Sequence, residues 1–251
     1  MPGLGARTVY LQTSPEYAMK RLLAEGMGHV FQICKAFRNG EAAQTHNPEF
    51  SMLEFYRSPG TVGELLDDLE DLVRAAGRQL GCAAPGLDLE RRFERITVRD
   101  AFARHFPGKA PPADETEFFR AMLDTVEPGL GRRPTFLTEY PAAHAALARL
   151  KPGDPSVSER FELYAGGLEL AIGFGELNDA AEQRRRFEAE QAQRRAAGRP
   201  VYALDERFLE AVGKMPPSSG VAVGLDRLLM LLLGIDDIND VLLFPASREW
   251  A

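Results

Sequence analysis

HVFQICKAFRNGEAAQTHNPEFSMLEFYR, residues 29–57, is the stretch on which the fold turns. Both ends are rich in aromatic, β-branched and other apolar residues, which suit a pleated and half-buried surface. The middle, from Arg38 to Pro48, holds Gly, Asn, Thr and Pro and continues neither run. The reading is a buried strand over residues 29–37, a long polar hairpin loop, and an antiparallel return strand over residues 49–57. Arg38 stands where the first strand ends, and its planar fork can clamp a phosphate there through two parallel hydrogen bonds. His46 and Asn47 lie across the loop, and Phe50 re-enters the second strand as a flat surface for a base. Composition alone does not separate this arrangement from an ordinary solvated loop, because short patterns recur by chance.

Outward from the hairpin, residues 9–12 read as a short strand ending at Thr13-Ser14-Pro15. A helix follows, with Pro15 and Glu16 in its first turn: proline needs no amide partner there, and an acid complements the dipole. Thr61 and Glu64 form a capping box that opens a helix with apolar Val62, Leu65, Leu66, Leu69, Leu72 and Val73. Residues from about 80 to 133 read as an insertion of short helices, near 99–106 and 115–123, with Gly- and Pro-containing joints. Strand signals return at 135–139 and 160–173, then a long polar helix over 179–197, a strand over 220–225 and an apolar helix over 226–233. Antiparallel strands with helices gathered around them define an α+β class, read as one domain over residues 1–251.

The bulk properties narrow the function. A net charge of -7 argues against broad nucleic-acid binding, which needs clustered Lys and Arg. Two cysteines, Cys34 and Cys82, lie far apart and lack metal-ligand spacing, which suits a reducing cytoplasm. No apolar run reaches membrane-spanning length and the first residues carry no signal-like core, so a cytoplasmic protein without a membrane partner is expected.

Two further stretches carry chemistry. FELYAGGLELAIGFGEL, residues 161–177, places Gly166-Gly167 at a two-residue hairpin turn that needs positive φ at both positions. That register pairs Ala165 with Leu168, Tyr164 with Glu169 and Glu162 with Ala171, so Glu162, Tyr164, Glu169 and Ala171 share a face. Glu162 and Glu169 then sit on a diagonal, close enough to hold Mg²⁺ against nucleotide phosphates, with Glu176 a further acid on the glycine-rich extension. In SGVAVGLDRLLMLLLG, residues 219–234, a small-residue strand lets a ligand approach the backbone, and Arg227 opens an otherwise apolar helix. Such an arginine either pairs with an acid, Asp226 for example, or faces a ligand.

In this order the three stretches resemble the second and third motifs of class II aminoacyl-tRNA synthetases, with the glutamate-bearing strands between them. TSPEYAMKRLL, FRNGEAAQTHNPEFSMLEFY, RFELYAGGLELAIGFGELND and GVAVGLDRL look like the lysyl branch. TSPEYAMKRL at residues 13–22, PTFLTEYPA at 134–142 and the alanine Ala222 are similar to a short family that lacks an anticodon-binding domain and modifies elongation factor P. The resemblance implies ATP and Mg²⁺, with lysine or β-lysine as substrate and a lysine of elongation factor P as acceptor. Arg38 and Arg227 become catalytic, and Arg38, Asn39, His46, Asn47, Phe50, Glu169, Leu170 and Arg227 bind ATP. Glu162 and Glu169 hold the metal, while Ser14, Glu16, Glu54, Tyr56, Phe174, Glu176 and Ala222 surround the amino acid.

Three departures accompany the resemblance. Gly40, followed by Glu41, stands where the family has an adenine-recognising glutamate, and Ile172 replaces an asparagine of the amino-acid pocket. The segment carrying the first family motif, which builds a homodimer, has no counterpart, so either the recorded start is displaced or the dimer interface is reduced. Three functions follow as expectations: ligation to elongation factor P, charging of tRNA, or a non-catalytic paralogue binding an amino acid or adenylate. The missing anticodon domain and the acidic charge count against tRNA.

Overall fold

The computed structural model describes residues 9–80 and 87–249; Cys82 lies outside them. In chain order the strands are β1 (Val30–Phe37), β2 (Glu49–Arg57), β3 (Glu94–Thr97), β4 (Thr135–Thr138), β5 (Leu150–Lys151), β6 (Asp154–Ser158), β7 (Arg160–Ala165), β8 (Leu168–Gly175) and β9 (Ser219–Gly224). The helices are α1 (Glu16–Ala24), α2 (Val62–Gln79), α3 (Val98–His105), α4 (Glu115–Ala121), α5 (Glu127–Gly129), α6 (Ala180–Ala196), α7 (Glu206–Val212), α8 (Leu225–Leu233) and α9 (Ala246–Glu249). Seven strands form one sheet in the order β1-β2-β9-β8-β7-β4-β3, and β5 and β6 form a small separate ribbon. Every neighbouring pair in the large sheet is antiparallel except β3 and β4. The class is α+β, as the alternation of strand and turn signals implies.

Alternation along the central strands divides the sheet into two faces. Leu53 of β2, Leu163 of β7, Ala171 of β8 and Val221 and Val223 of β9 are buried with Leu65, Leu66, Leu69 and Val73 of α2 and Leu228, Leu231 and Leu232 of α8. Helix α2 starts where its capping box predicts. Thr61 accepts from the Glu64 amide while the Glu64 carboxylate accepts from the Thr61 amide, so two otherwise orphaned donors are satisfied. On the opposite face, Met19 and Leu23 of α1 pack with Tyr56 of β2 and with Met215. A third cluster at the far end joins Ile96 and Leu137 to Phe102, Phe118, Met122 and Tyr140.

Four expectations change. Residues 9–12 form no strand; the stretch is exposed and gives one backbone acceptor, the Gln12 carbonyl, to the Phe37 amide at 2.9 Å. The strand expected to be buried over residues 29–37 is the edge of the sheet, with Phe31 and Ile33 exposed, because β1 pairs only with β2. The span from 80 to 133 contributes more than short helices, since its β3 extends the sheet beyond β4. In the β7–β8 hairpin, Gly166 and Gly167 do take positive φ, and Tyr164 pairs with Glu169. A bulge then admits Leu170 as an extra residue, so Glu162 pairs with Ile172 and Ala171 moves opposite Leu163 in the helix-side core. Glu162, Tyr164 and Glu169 keep a common face, and Ile172 replaces Ala171 on it.

Leu69 is fully enclosed between α2 and the sheet. Leu69→Ala should lower unfolding free energy by about 2–5 kcal/mol, through lost transfer energy and a residual cavity. Urea unfolding followed by circular dichroism measures this, and an unchanged midpoint would contradict the packing described.

Candidate active site

The site lies on the sheet face away from α2 and α8. Cross-strand register lays its residues in rows: Glu54, Ala222, Ile172 and Glu162 form one, and Tyr56, Gly220, Phe174 and Arg160 the next. Met52 pairs with Gly224 on the other side of the first row. Antiparallel pairing therefore collects residues from β2, β7, β8 and β9 that are distant in sequence.

One end of this face opens into a cleft of about 190 Å³. Arg38, Glu41, His46, Asn47, Phe50, Glu169, Leu170, Ile172, Ala222 and Arg227 line it, so both arginines border the same space. Arg38 closes the hairpin loop through its amide to the Pro48 carbonyl at 2.9 Å, and its guanidinium lies 5.1 Å from the Phe50 ring centroid. Gly40 has a φ of +81°, a conformation a side chain rarely adopts, and the turn brings Glu41 to the cleft wall. Asn39 is exposed and stands outside the lining.

Arg227 does not pair with Asp226. That aspartate accepts the Ser51 amide at 2.6 Å, tying α8 to β2. Arg227 pairs with another acid, its Nη1 lying 3.7 Å from the Glu169 carboxylate, and it donates to the Glu169 carbonyl at 2.9 Å and the Thr45 carbonyl at 3.1 Å and contacts Nε2 of His46. Burial and the Arg227 charge hold the His46 imidazole below its ordinary value, which suits a neutral ring accepting from the guanidinium. Asn47 is buried and used at both ends: it donates to the Glu49 carbonyl at 2.6 Å and accepts the Ala246 amide at 3.0 Å. It shapes the loop from within. Leu170, the bulge residue, is buried and borders the cleft.

Glu169 lines the cleft, whereas Glu162 is buried behind it and outside the lining. Glu162 accepts from Tyr140 and Tyr164 at 2.6 Å each and from Arg160 at 2.5 Å. Partial burial and the neighbouring Glu162 charge push the Glu169 carboxyl up to about 7, against the opposing pull of Arg227. Among the described residues no group of three or more metal-ligating side chains occurs. The Glu169 carboxylate on the cleft wall, with the Glu162 charge behind it, fits Mg²⁺ held jointly with phosphate oxygens, while both Glu162 oxygens already accept from Arg160, Tyr140 and Tyr164.

Of the residues expected to surround the amino acid, Ala222 lines the cleft and the others occupy the adjoining end as a closed cluster. Glu54 is 2% and Glu176 1% exposed. Glu54 accepts from the Ser14 hydroxyl at 2.8 Å and from the Tyr56 hydroxyl at 2.5 Å, while the Glu16 amide donates to the Ser14 hydroxyl at 3.0 Å. Phe174 is half-buried in the second row, beside Gly220. Burial pushes the carboxyls of both Glu54 and Glu176 up to about 7. Two residues that the sequence patterns do not single out complete the cluster. Lys20 is buried, with its Nζ 2.6 Å from both Glu16 and Glu176. Gly220 leaves room where a Cβ would lie 2.2 Å from the Tyr56 ring and 2.6 Å from the Glu176 carboxylate. The four-residue spacing from Glu16 marks Lys20 as a helix pair but not as a buried one. For the glycine, the run of small residues along β9 is the available signal.

A cleft bordered by two arginines, abutting a buried acidic cluster on a mostly antiparallel sheet, is the candidate site. The family described as tRNA synthetases class II (D, K and N) matches residues 4–248, and the chain belongs to it. A protein of Edwardsiella ictaluri named "Elongation factor P--(R)-beta-lysine ligase" is 41% identical over 96% of this chain and 78% of its own length. Proteins of the same name from Salmonella dublin and Salmonella paratyphi B are 40% identical over the same shares.

Two outcomes follow from this geometry. Gly220→Ala should weaken amino-acid binding at least about tenfold, because displacing Tyr56 and Glu176 costs more than the 1.4 kcal/mol that a factor of ten represents. Calorimetric ATP affinity should stay near wild type; equal loss of both ligands would instead mean general disruption. The second outcome is a pH dependence. The Glu54 carboxyl rises from 4.5 to about 7 on folding, so the native state keeps its proton longer than the unfolded chain. Stability contributed by this group falls as pH rises through that window, and the full penalty applies above it. Glu54→Gln should therefore unfold at a midpoint roughly a few degrees above wild type at pH 8 and close to it at pH 4. The same shift at both pH values would remove Glu54 from this account.

Proposed function

We propose that the chain uses ATP to activate (R)-β-lysine or lysine as its adenylate and transfers it to a lysine side chain of elongation factor P. The observation that carries this reading is the meeting of the arginine-lined cleft and the buried acids along the row Glu54–Ala222–Ile172. A substrate lying across that row has its carboxylate toward Arg38 and Arg227 and its ammonium groups among Glu16, Glu54 and Glu176. An ammonium taken from water is costly unless it is paired, so these acids select a cationic amino acid.

The chemistry is chiefly positioning and charge stabilisation. The substrate carboxylate attacks the α-phosphorus and pyrophosphate leaves. Arg38 holds the α-phosphate, His46 and Arg227 lie toward the outer phosphates, and Phe50 offers the base a stacking face. Mg²⁺, held by Glu162 and Glu169, would neutralise phosphate charge. The acceptor amine then attacks the adenylate carbonyl and expels AMP, after losing a proton from an ammonium whose ordinary pKa is about 10.4. Ala222 adds a methyl group between Glu54 and Ile172, and Ile172 offers no hydrogen bond there. Both favour an isomer whose amine is shifted along the chain, hence (R)-β-lysine. That the relatives carry this substrate in their names supports the same choice.

A protein acceptor rather than tRNA agrees with the relatives' names and with the net charge of -7. The proposal includes work in the cytoplasm, where ATP and a translation factor are both available, and a homodimer as in other class II synthetases. Among the described residues no helix is long and apolar enough to cross a membrane.

Pyrophosphate exchange with (R)-β-lysine, α-lysine and ornithine at equal ATP tests activation. (R)-β-lysine should exchange fastest, and labelled product should appear on elongation factor P rather than on tRNA. Arg38→Ala should lower exchange by about 10²-fold or more while leaving the fold intact. Undiminished exchange in that variant would remove Arg38 from the mechanism, and no exchange with any cationic amino acid would sink the function.

A further inference from the structure

The pocket already contains an ammonium of its own. Lys20 projects from α1 into the acid cluster with 1% of its side chain exposed, and its Nζ bridges Glu16 and Glu176 at 2.6 Å each. The titratable groups around it are Glu16 and Tyr17 of α1, Glu54 and Tyr56 of β2, and Glu176 just past β8. A lysine that served only to close an i,i+4 pair would leave its stem and charge at the surface. This one is enclosed, and it touches two of the carboxylates that face the substrate.

We propose that Lys20 is a positioning residue that sets the charge of the amino-acid pocket, so that the site is matched by a substrate bearing two ammonium groups. This rests on the proposed function. Glu16, Glu54 and Glu176 supply three negative charges and Lys20 one positive charge, leaving two negative charges unmatched. A diamino acid brings two ammonium groups and places its carboxylate at the arginine-lined end, so the buried charge closes to zero. A monoamino acid of the same length leaves one buried carboxylate unmatched, which is costly. Lys20 also holds Glu16 and Glu176 together although both are acids; without it they repel, and one takes up a proton.

The bridge works on protonation as well. Lys20 lowers the carboxyl values of Glu54 and Glu176 against the upward push of burial. Removing the ammonium raises both, so substrate ammonium groups must then displace protons from the acids. The acid limb of kcat/KM for the amino acid moves to higher pH in consequence, whereas the ATP dependence, which belongs to the other end of the site, does not.

The test uses the full chain with Lys20→Met, which keeps the stem without the charge, and Lys20→Gln as a second neutral variant. Pyrophosphate exchange is measured from pH 6 to 9 with (R)-β-lysine, α-lysine and norleucine. The expected result is a KM for the diamino acid at least about tenfold higher near pH 7, an acid limb shifted upward by about half a unit or more, and an unchanged KM for ATP. Norleucine should lose relatively less, so discrimination against it narrows. A variant that folds and retains the wild-type amino-acid KM and pH limb overturns the proposal, as does equal loss for ATP and amino acid. A measurement on the wild-type protein stands independently of whether the variants fold. At pH 8, calorimetry in buffers of different ionisation enthalpy should find diamino-acid binding close to proton-neutral, and uptake or release of about one proton overturns the charge count. If the wild-type protein exchanges pyrophosphate with no diamino acid, the proposed function fails before this inference is reached.

Discussion

The register of β2, β9 and β8 is the constraint on which the rest depends. Ala222 lies between Glu54 and Ile172, and Gly220 between Tyr56 and Phe174, because three antiparallel strands meet in one alignment. Side chains alternate with period two, so a slip of one residue would carry Glu54 to the helix side and Leu53 to the site. Burial forbids that slip. Leu53, Val221, Val223 and Ala171 are locked against α2 and α8, and the apolar half of each strand thereby fixes where its polar half points. The hydrophobic core thus determines a set of carboxylate positions to which it makes no direct chemical contribution.

Electrostatics then divides the sheet face. Arg38, His46 and Arg227 collect where the hairpin loop and the start of α8 approach each other, while Glu54 and Glu176 sit deeper, where water is excluded. The separation has a structural cause. Arginine carries several donors on a long arm and reaches the cleft from its rim, satisfied by backbone carbonyls such as those of Thr45 and Glu169. Buried glutamates cannot reach solvent and must be met by hydroxyls or an ammonium, which Ser14, Tyr56 and Lys20 provide. Burial still wins over those partners, which is why both carboxyls stand near 7. Empty, the acidic end is a local liability.

Much of this architecture is legible in the amino-acid sequence. Aromatic and apolar composition marks β2, alternation marks β7 and β8, a run of small residues marks β9, the capping box marks α2, and the paired glycines mark the hairpin that carries Glu169. What stays hidden does so for physical reasons. The bulge at Leu170 depends on how β8 must bend to serve β7 and β9 at once, and no local residue signal announces it. The exposed edge at Phe31 and Ile33 reads like a core strand, because composition reports what a strand can bury and not whether a neighbour exists. Lys20 is hidden for a related reason. Four residues after Glu16 on a helix it resembles a surface pair, and only the tertiary approach of Glu176 makes it a buried one.

The same reasoning explains how so polar a cluster can persist in a folded protein. Three acids and one lysine leave an imbalance that folding alone does not relieve, and a native state is stable by only about 5–15 kcal/mol in total. The imbalance is tolerable because burial raises the Glu54 and Glu176 carboxyls to about 7, so that protons relieve part of the charge of the empty site at and below neutral pH, while above it Lys20 is the fixed counter-charge. In the proposed function, a cationic substrate supplies fixed ammonium groups in place of whatever protons remain and leaves the acids ionised and paired. Binding and protonation are therefore alternative ways of balancing one set of carboxylates. Selectivity comes from the difference between them, because a mobile proton neutralises a single carboxylate anywhere in the cluster, whereas two ammonium groups on one chain must match the spacing that the sheet register has already set.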